Sequence, residues 1–74
     1  MSRLPRITGD KLLSVLKRNG FSLLHVRGSH NYLESPNGRL VCIPVHSGKI
    51  LKPKTLKSIL EQSNLSVDEL VRIL

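Results

Sequence analysis

The segment SPNGR, residues 35–39, constrains the fold of this chain more than any other feature of the sequence. Its proline fixes one backbone dihedral, and the Asn-Gly pair after it accepts positive ones, so the segment favours a tight turn between antiparallel strands. The flanking segments HNYLES and RLVCIPVH both have a strand-forming composition. In RLVCIPVH, the alternation of side chains along a strand places three apolar residues on one face, namely Val41, Ile43 and Val45. A β-hairpin is therefore predicted at the centre of the chain.

One more strand and three helical segments surround this hairpin. The segment FSLLHVR predicts an earlier strand, and Gly28-Ser29 predicts the turn after it. Residues 8–20 predict a first helix, capped by Thr8 or Asp10 and stopped by an Asn-Gly pair. Pro53 opens a second helix, and the capping-box sequence SVDEL opens a short third one. The sequence thus predicts one α+β domain over residues 1–74, with a three-stranded antiparallel sheet and helices packed on one face.

Positive charge dominates the chain and is unevenly distributed. The net charge is +7, and residues 1–57 hold 11 basic side chains and 2 acidic ones. Such a balance favours a polyanionic partner, above all nucleic acid. Because Phe21 and Tyr32 are the only aromatic residues of the Phe, Tyr and Trp types, contacts to phosphate and sugar fit better than rows of stacked bases.

Several classes of protein fit the sequence poorly. Cys42 is the only cysteine, which excludes an internal disulfide, and it is expected to be a small buried hydrophobic residue rather than a nucleophile. The histidines match no zinc spacing, and no glycine-rich loop matches a nucleotide-binding motif, so no metal and no cofactor are expected. The N-terminal segment MSRLPRITG has no apolar signal core, and a cytoplasmic location without membrane contact is expected.

His30 is the strongest candidate for chemistry. It begins a strand directly after the turn formed by Gly28 and Ser29, so its ring can stand at the surface. Imidazole exchanges protons near neutral pH, and the 2′-hydroxyl of RNA can attack the adjacent phosphodiester once proton transfer is provided. A turn or strand residue with a hydrogen-bonded ring is the competing interpretation. Phosphate-directed charge would come from Arg27, Lys49 and Lys52.

The other two histidines are weaker candidates. His46 ends the third predicted strand, where it is either a second proton carrier or, as we favour, a hinge residue. His25 lies in the middle of a strand, and a structural role is favoured for it.

Four blocks in register carry a resemblance that covers roughly residues 8–70. They are the Gly-Ser-His block that ends at His30, the P-x-G turn, the segment IPVH, which is similar to a V-P-V-H strand end, and the segment LKPKTL. In order and spacing they resemble the HicA-type (YcfA-like) mRNA interferase toxins. The resemblance implies a double-stranded-RNA-binding-like α-β-β-β-α fold, metal-independent cleavage of mRNA, and His30 as the catalytic residue. It also implies a HicB-type antitoxin as partner, with a monomeric toxin inside a larger assembly.

The chain departs from the pattern of this family at two positions. Asn31 occupies a variable site, and Leu33 stands where many relatives have an aromatic residue, which is expected to alter RNA contacts. Two other functions stay open. A non-catalytic RNA-binding module would leave RNA intact, and a protein whose basic surface serves only an acidic protein partner would not retain RNA at low salt.

Overall fold

The computed structural model describes residues 3–74. The elements follow in the order α1 (Gly9–Arg18), β1 (Ser22–Arg27), β2 (His30–Glu34), β3 (Leu40–Pro44), α2 (Pro53–Ser63) and α3 (Val67–Ile73). This order confirms the predicted α+β class and the additional C-terminal helix. The third strand is shorter than predicted, because it ends at Pro44 and residues 45–52 form the loop before α2. Within residues 3–74, no helix has the length and apolar character needed to cross a membrane.

Each helix begins at the start signal that the sequence supplies, which is a capping side chain for α1 and α3 and a proline for α2. Thr8 is the N-cap of α1, and its hydroxyl accepts a hydrogen bond from the Lys11 amide at 3.2 Å. Pro53 occupies the first turn of α2, where its missing amide hydrogen costs nothing. At α3, the Ser66 amide donates to the Glu69 carboxylate at 2.9 Å, which lowers the pKa of that carboxyl, and the Ser66 hydroxyl accepts from the Glu69 amide. The local sequence therefore determines where the helices start.

The three strands form one antiparallel sheet in the order β1-β2-β3. The SPNGR turn closes with a hydrogen bond from the Gly38 amide to the Ser35 carbonyl at 2.9 Å. Helix α2 covers the outer edge of β3, because the Gln62 side chain accepts a hydrogen bond from the Cys42 amide at 2.9 Å. The outer edge of β1 is the opposite margin of the sheet. Of the two sheet margins, the one formed by β3 is thus the one closed by a helix.

The core fills one face of the sheet. Leu33 on β2 and Ile43 on β3 are fully buried there, against apolar side chains of all three helices. The core side chains of the helices include Leu12, Leu16, Leu56, Ile59, Leu60 and Leu70. Because Leu33 has no exposed surface, its side chain cannot contact RNA directly, and its place in this structure is in the packing of the core.

Within residues 3–74, no layer packs on the other face of the sheet, and we call it the open face. Pairing in register places its side chains together across the strands. They include the exposed Glu34 and six further residues, which are His25, Arg27, His30, Tyr32, Leu40 and Cys42. All six are exposed or half-buried, while the alternate residues Asn31, Leu33, Val41 and Ile43 are buried. The open face therefore carries polar and aromatic groups that the core does not use.

A close approach of backbones fixes the end of β3. Gly9, the first residue of α1, lies so near β3 that a Cβ atom built on it would be 2.5 Å from the Pro44 carbonyl oxygen and 3.1 Å from the Val45 Cα atom. A residue with a side chain would push α1 away from the strand. Since Pro44 pairs with His30, this contact also sets the position of the candidate site.

Candidate active site

The turn before His30 is a tight two-residue connection between β1 and β2. Gly28 has φ of +60°, a conformation that a type II′ turn assigns to glycine at its first central position. The carbonyl of Ser29 accepts a hydrogen bond from the Val45 amide at 2.7 Å. This hydrogen bond attaches the turn to the chain just beyond β3. Gly28 and Ser29 together hold the start of β2 in place.

Asn31 reinforces this turn from inside the protein. Its side chain is 7% exposed, and its amide nitrogen donates to the Ser29 carbonyl at 3.2 Å and more weakly to the Ile43 carbonyl at 3.5 Å. The residue type alone predicts no role for this position. Its position two residues before Leu33 could have indicated such a role. The two residues share one side of the strand, and a polar residue on the buried side needs hydrogen-bond partners. Asn31 thus links the sheet to the residue that precedes His30.

Replacement of Asn31 with alanine is expected to destabilise the domain by about 1 kcal/mol, because one buried hydrogen-bonding side chain is lost. The activity of the site should fall by more than this change in stability explains, since the turn before His30 loses a support. Urea denaturation gives the first quantity, and RNA cleavage at a temperature where both proteins are folded gives the second. The matched control is Asn37→Ala in the exposed SPNGR turn. Equal effects of the two variants on cleavage would contradict this role of Asn31.

His30 stands exposed on the open face at the start of the central strand. It pairs with Arg27 on β1 and with Pro44 on β3. Its Nδ1 atom lies 3.5 Å from the Sγ atom of Cys42. Among the described residues, its Nε2 atom has no hydrogen-bond partner. One ring nitrogen is therefore held by the protein, and the other is available to a ligand.

The cationic residues predicted from the sequence fall into two groups. Arg27 lies beside His30 as its cross-strand neighbour. Lys49 and Lys52 instead line a groove with His46 and Pro44, between the end of β3 and the start of α2. The loop that carries them is held against the N-terminal segment, where the Leu51 amide donates to the Ile7 carbonyl at 2.8 Å. Pro44 lies between these two groups of cations, because it lines the groove and also pairs with His30.

Sequence reasoning missed three further side chains of the open face. The rings of His25 and Tyr32 stack, with centroids 4.5 Å apart and planes 19° from parallel. The Tyr32 centroid is also 6.4 Å from that of His30. Cys42 is half-buried on this face, so the expectation of a buried hydrophobic residue is wrong. The alternation of side chains along each strand could have predicted these positions. It places His25 on the side of Arg27 and Tyr32 on the side of His30, and the hairpin register then pairs Cys42 with Tyr32.

Within residues 3–74, no group of three or more histidine, cysteine or acidic side chains converges as a metal site would require. The nearest approach to such a group on the open face is the contact of Cys42 with His30. The functional groups around His30 on this face are thus its exposed imidazole, the neighbouring Arg27 and the stacked rings of His25 and Tyr32.

The fold and the site define a class: small basic α+β domains with an exposed histidine that follows a tight turn, on the uncovered face of a three-stranded sheet. A comparison with protein-family models identifies the family more narrowly. The model described as HicA toxin of bacterial toxin-antitoxin matches residues 9–65, which include α1, all three strands and α2. The chain therefore belongs to the HicA toxin family of bacterial toxin–antitoxin systems. No curated protein matched the sequence significantly.

Proposed function

We propose that this toxin is a metal-independent endoribonuclease that cleaves mRNA, with His30 as its general acid and base. The observation that carries the proposal is the exposed His30 ring, which has a free Nε2 atom and Arg27 as its cross-strand neighbour. Membership in the HicA toxin family and the net charge of +7 support a polyanionic target.

The proposed reaction uses the RNA's own nucleophile. Nε2 of His30 takes the proton of a ribose 2′-hydroxyl, and the 2′-oxygen attacks the adjacent phosphorus. The bond from phosphorus to the 5′-oxygen breaks, and the protonated imidazole returns the proton to that leaving oxygen. The products are a 2′,3′-cyclic phosphate and a free 5′-hydroxyl. The contact between Cys42 and Nδ1 orients the ring so that Nε2 is the nitrogen that reacts.

The cationic residues hold the phosphates in this proposal. Arg27 stabilises the charge that develops at the scissile phosphate, because it is the cation next to His30. Lys49 and Lys52 bind phosphates further along the strand, in the groove beyond Pro44. Gly28 and Ser29 shape the turn and allow the RNA backbone to approach closely.

We assign the antitoxin of this toxin to the HicB type. An inhibitor that blocks the proposed chemistry must cover His30, and it then meets the positive charge around it. We infer an antitoxin with an acidic contact surface, and a toxin monomer within a larger assembly built by the antitoxin. Both act in the cytoplasm, where mRNA is present.

The experiment that tests the proposal incubates the purified protein with a long unstructured RNA in EDTA. We expect slow cleavage and fragments with 2′,3′-cyclic phosphate ends, because neither step needs a metal. A DNA strand of the same sequence should stay intact, since it lacks the attacking hydroxyl. Intact RNA together with salt-sensitive binding would instead indicate a non-catalytic RNA-binding module. Fragments with 3′-hydroxyl ends would contradict the mechanism.

A further inference from the structure

The open face carries a pair of rings that the core does not explain. Of the two residues of the Phe, Tyr and Trp types, Phe21 is buried in the core, whereas Tyr32 is half-buried on the open face. Tyr32 is stacked with the exposed His25 across the strands, with ring centroids 4.5 Å apart. Burial of apolar surface therefore does not account for a tyrosine at this position.

The position of the pair is defined by its neighbours. His30 lies on the same strand as Tyr32, and the centroids of these two rings are 6.4 Å apart. Arg27 lies on the same strand and the same face as His25. Because β1 is at the margin of the sheet, no further strand of the described residues 3–74 flanks the His25 ring on the side away from Tyr32. The stacked pair is thus open to solvent and adjacent to both the imidazole and the guanidinium of the site.

We propose that His25 and Tyr32 form a stacking platform for one nucleobase of single-stranded RNA, which places the phosphate of that nucleotide at His30 and Arg27. This inference deepens the proposed function and rests on it for the identity of the strand. Bases of every type have a π-face, so a platform of this kind binds without strong sequence preference. A base in a duplex is stacked between its neighbours and cannot reach the platform, which selects single strands.

The geometry suits one nucleotide. A base and its phosphate are joined through a single sugar, and 6.4 Å separates the Tyr32 ring from the His30 ring. In the proposed complex, the base lies against the ring pair, and its sugar and phosphate extend toward His30. The platform binds one base rather than a row, in keeping with a chain that has only two residues of the Phe, Tyr and Trp types.

The fluorescence of the unaltered protein tests the platform directly. Tyr32 is the only tyrosine and the chain has no tryptophan, so tyrosine emission reports this ring alone. The probe is a DNA oligonucleotide of mixed sequence, which cannot be cleaved by 2′-hydroxyl attack. We expect saturable quenching at low salt. An oligonucleotide of the same length without bases should bind more weakly and leave the emission unchanged. Equal quenching or equal affinity for both strands would overturn the proposal.

Variants give a second measurement. Tyr32→Val keeps a strand-forming residue but removes the ring, and we expect the affinity for a dye-labelled DNA strand to fall by roughly ten- to a hundred-fold. Tyr32→Phe should restore most of that affinity, because it restores the aromatic face. The matched control is Leu40→Ala, which lies on the same face at 68% exposure and away from the rings. Circular dichroism confirms the fold of each variant, and the comparison of strands with and without bases needs no variant.

The two proposals fail in different ways. If RNA stays intact while intact DNA still quenches Tyr32, the ribonuclease proposal is wrong and the platform stands. If RNA is cleaved but Tyr32→Val has the KM and the DNA affinity of the unaltered protein, the platform is wrong and the ribonuclease stands. A merely structural role of the ring would lower the stability without the selective rise in KM that we expect.

Discussion

Replacement of His30 with alanine is expected to slow RNA cleavage by about 10²–10⁴-fold, which is the usual contribution of one positioned acid–base group. The fold should persist, because His30 is exposed and its ring contributes nothing to the core cluster. Cleavage is followed with a fluorogenic RNA in EDTA, and circular dichroism confirms that the variant is folded. Binding of a DNA strand should be nearly retained, since Arg27 and the loop lysines are unchanged.

The matched control for this variant is His46→Ala. His46 is also exposed, but it lies in the loop beyond β3, in the groove with Lys49 and Lys52. We expect cleavage within a few-fold of the unaltered protein, in agreement with a hinge role for this residue. A loss as large as that of His30→Ala would identify His46 as a second proton carrier. Undiminished cleavage by His30→Ala would remove His30 from the mechanism altogether.

Replacement of Leu33 with alanine is expected to lower the free energy of unfolding by about 2–5 kcal/mol. Leu33 is fully buried at the centre of the sheet, so the truncated side chain leaves a cavity in the core. A domain of this size has a total stability of only roughly 4–11 kcal/mol, and each kcal/mol lost lowers Tm by about 4–8 °C. Urea denaturation and a thermal melt followed by circular dichroism measure the change.

Leu40→Ala is the matched control for stability. Both leucines lie in strands, but Leu40 is 68% exposed on the open face. We expect its effect on the free energy of unfolding to stay within about 0.5 kcal/mol. Similar destabilisation by the two variants would show that the open face is covered in solution, and it would contradict the burial pattern described for the sheet.

These predictions follow from the alternation of side chains along β2. His30 and Tyr32 point to the open face, and Asn31 and Leu33 point to the core. Substitutions along this strand should therefore alternate between effects on RNA and effects on stability. The identity of a residue does not by itself reveal this division, and Leu33 is an example, because its burial excludes a direct contact with RNA.

Much of the architecture follows from local sequence. The Thr8 cap, Pro53 and the capping box of Ser66 and Glu69 start the helices where the sequence indicates. The SPNGR turn joins β2 to β3 as predicted. These features depend on residues within a few positions of one another, so their energetics can be assessed without knowledge of the rest of the chain.

The candidate site is only partly local. The Gly-Ser turn determines that Arg27 faces His30, since a two-residue turn fixes the register of the strands beside it. The same register brings His25 next to Tyr32, and this pairing could have been derived from the turn. A bulge at Leu24 then shifts the register near the start of β1, where local sequence gives no warning.

The sequence by itself determined the helix starts, the turns and the fold class, and it predicts a functional role for the histidine after the Gly-Ser turn. Tertiary structure alone decided that Cys42 meets Nδ1 of His30, that Asn31 supports the turn from the core, and that Lys49 and Lys52 lie in a groove beyond Pro44. The physical reason is how far apart along the chain the interacting residues and their surroundings lie. Caps and turns form between near neighbours. The contact of Cys42 with His30 instead joins two strands, the burial of Asn31 depends on the core layer that covers its face, and the groove depends on how α2 meets the end of β3.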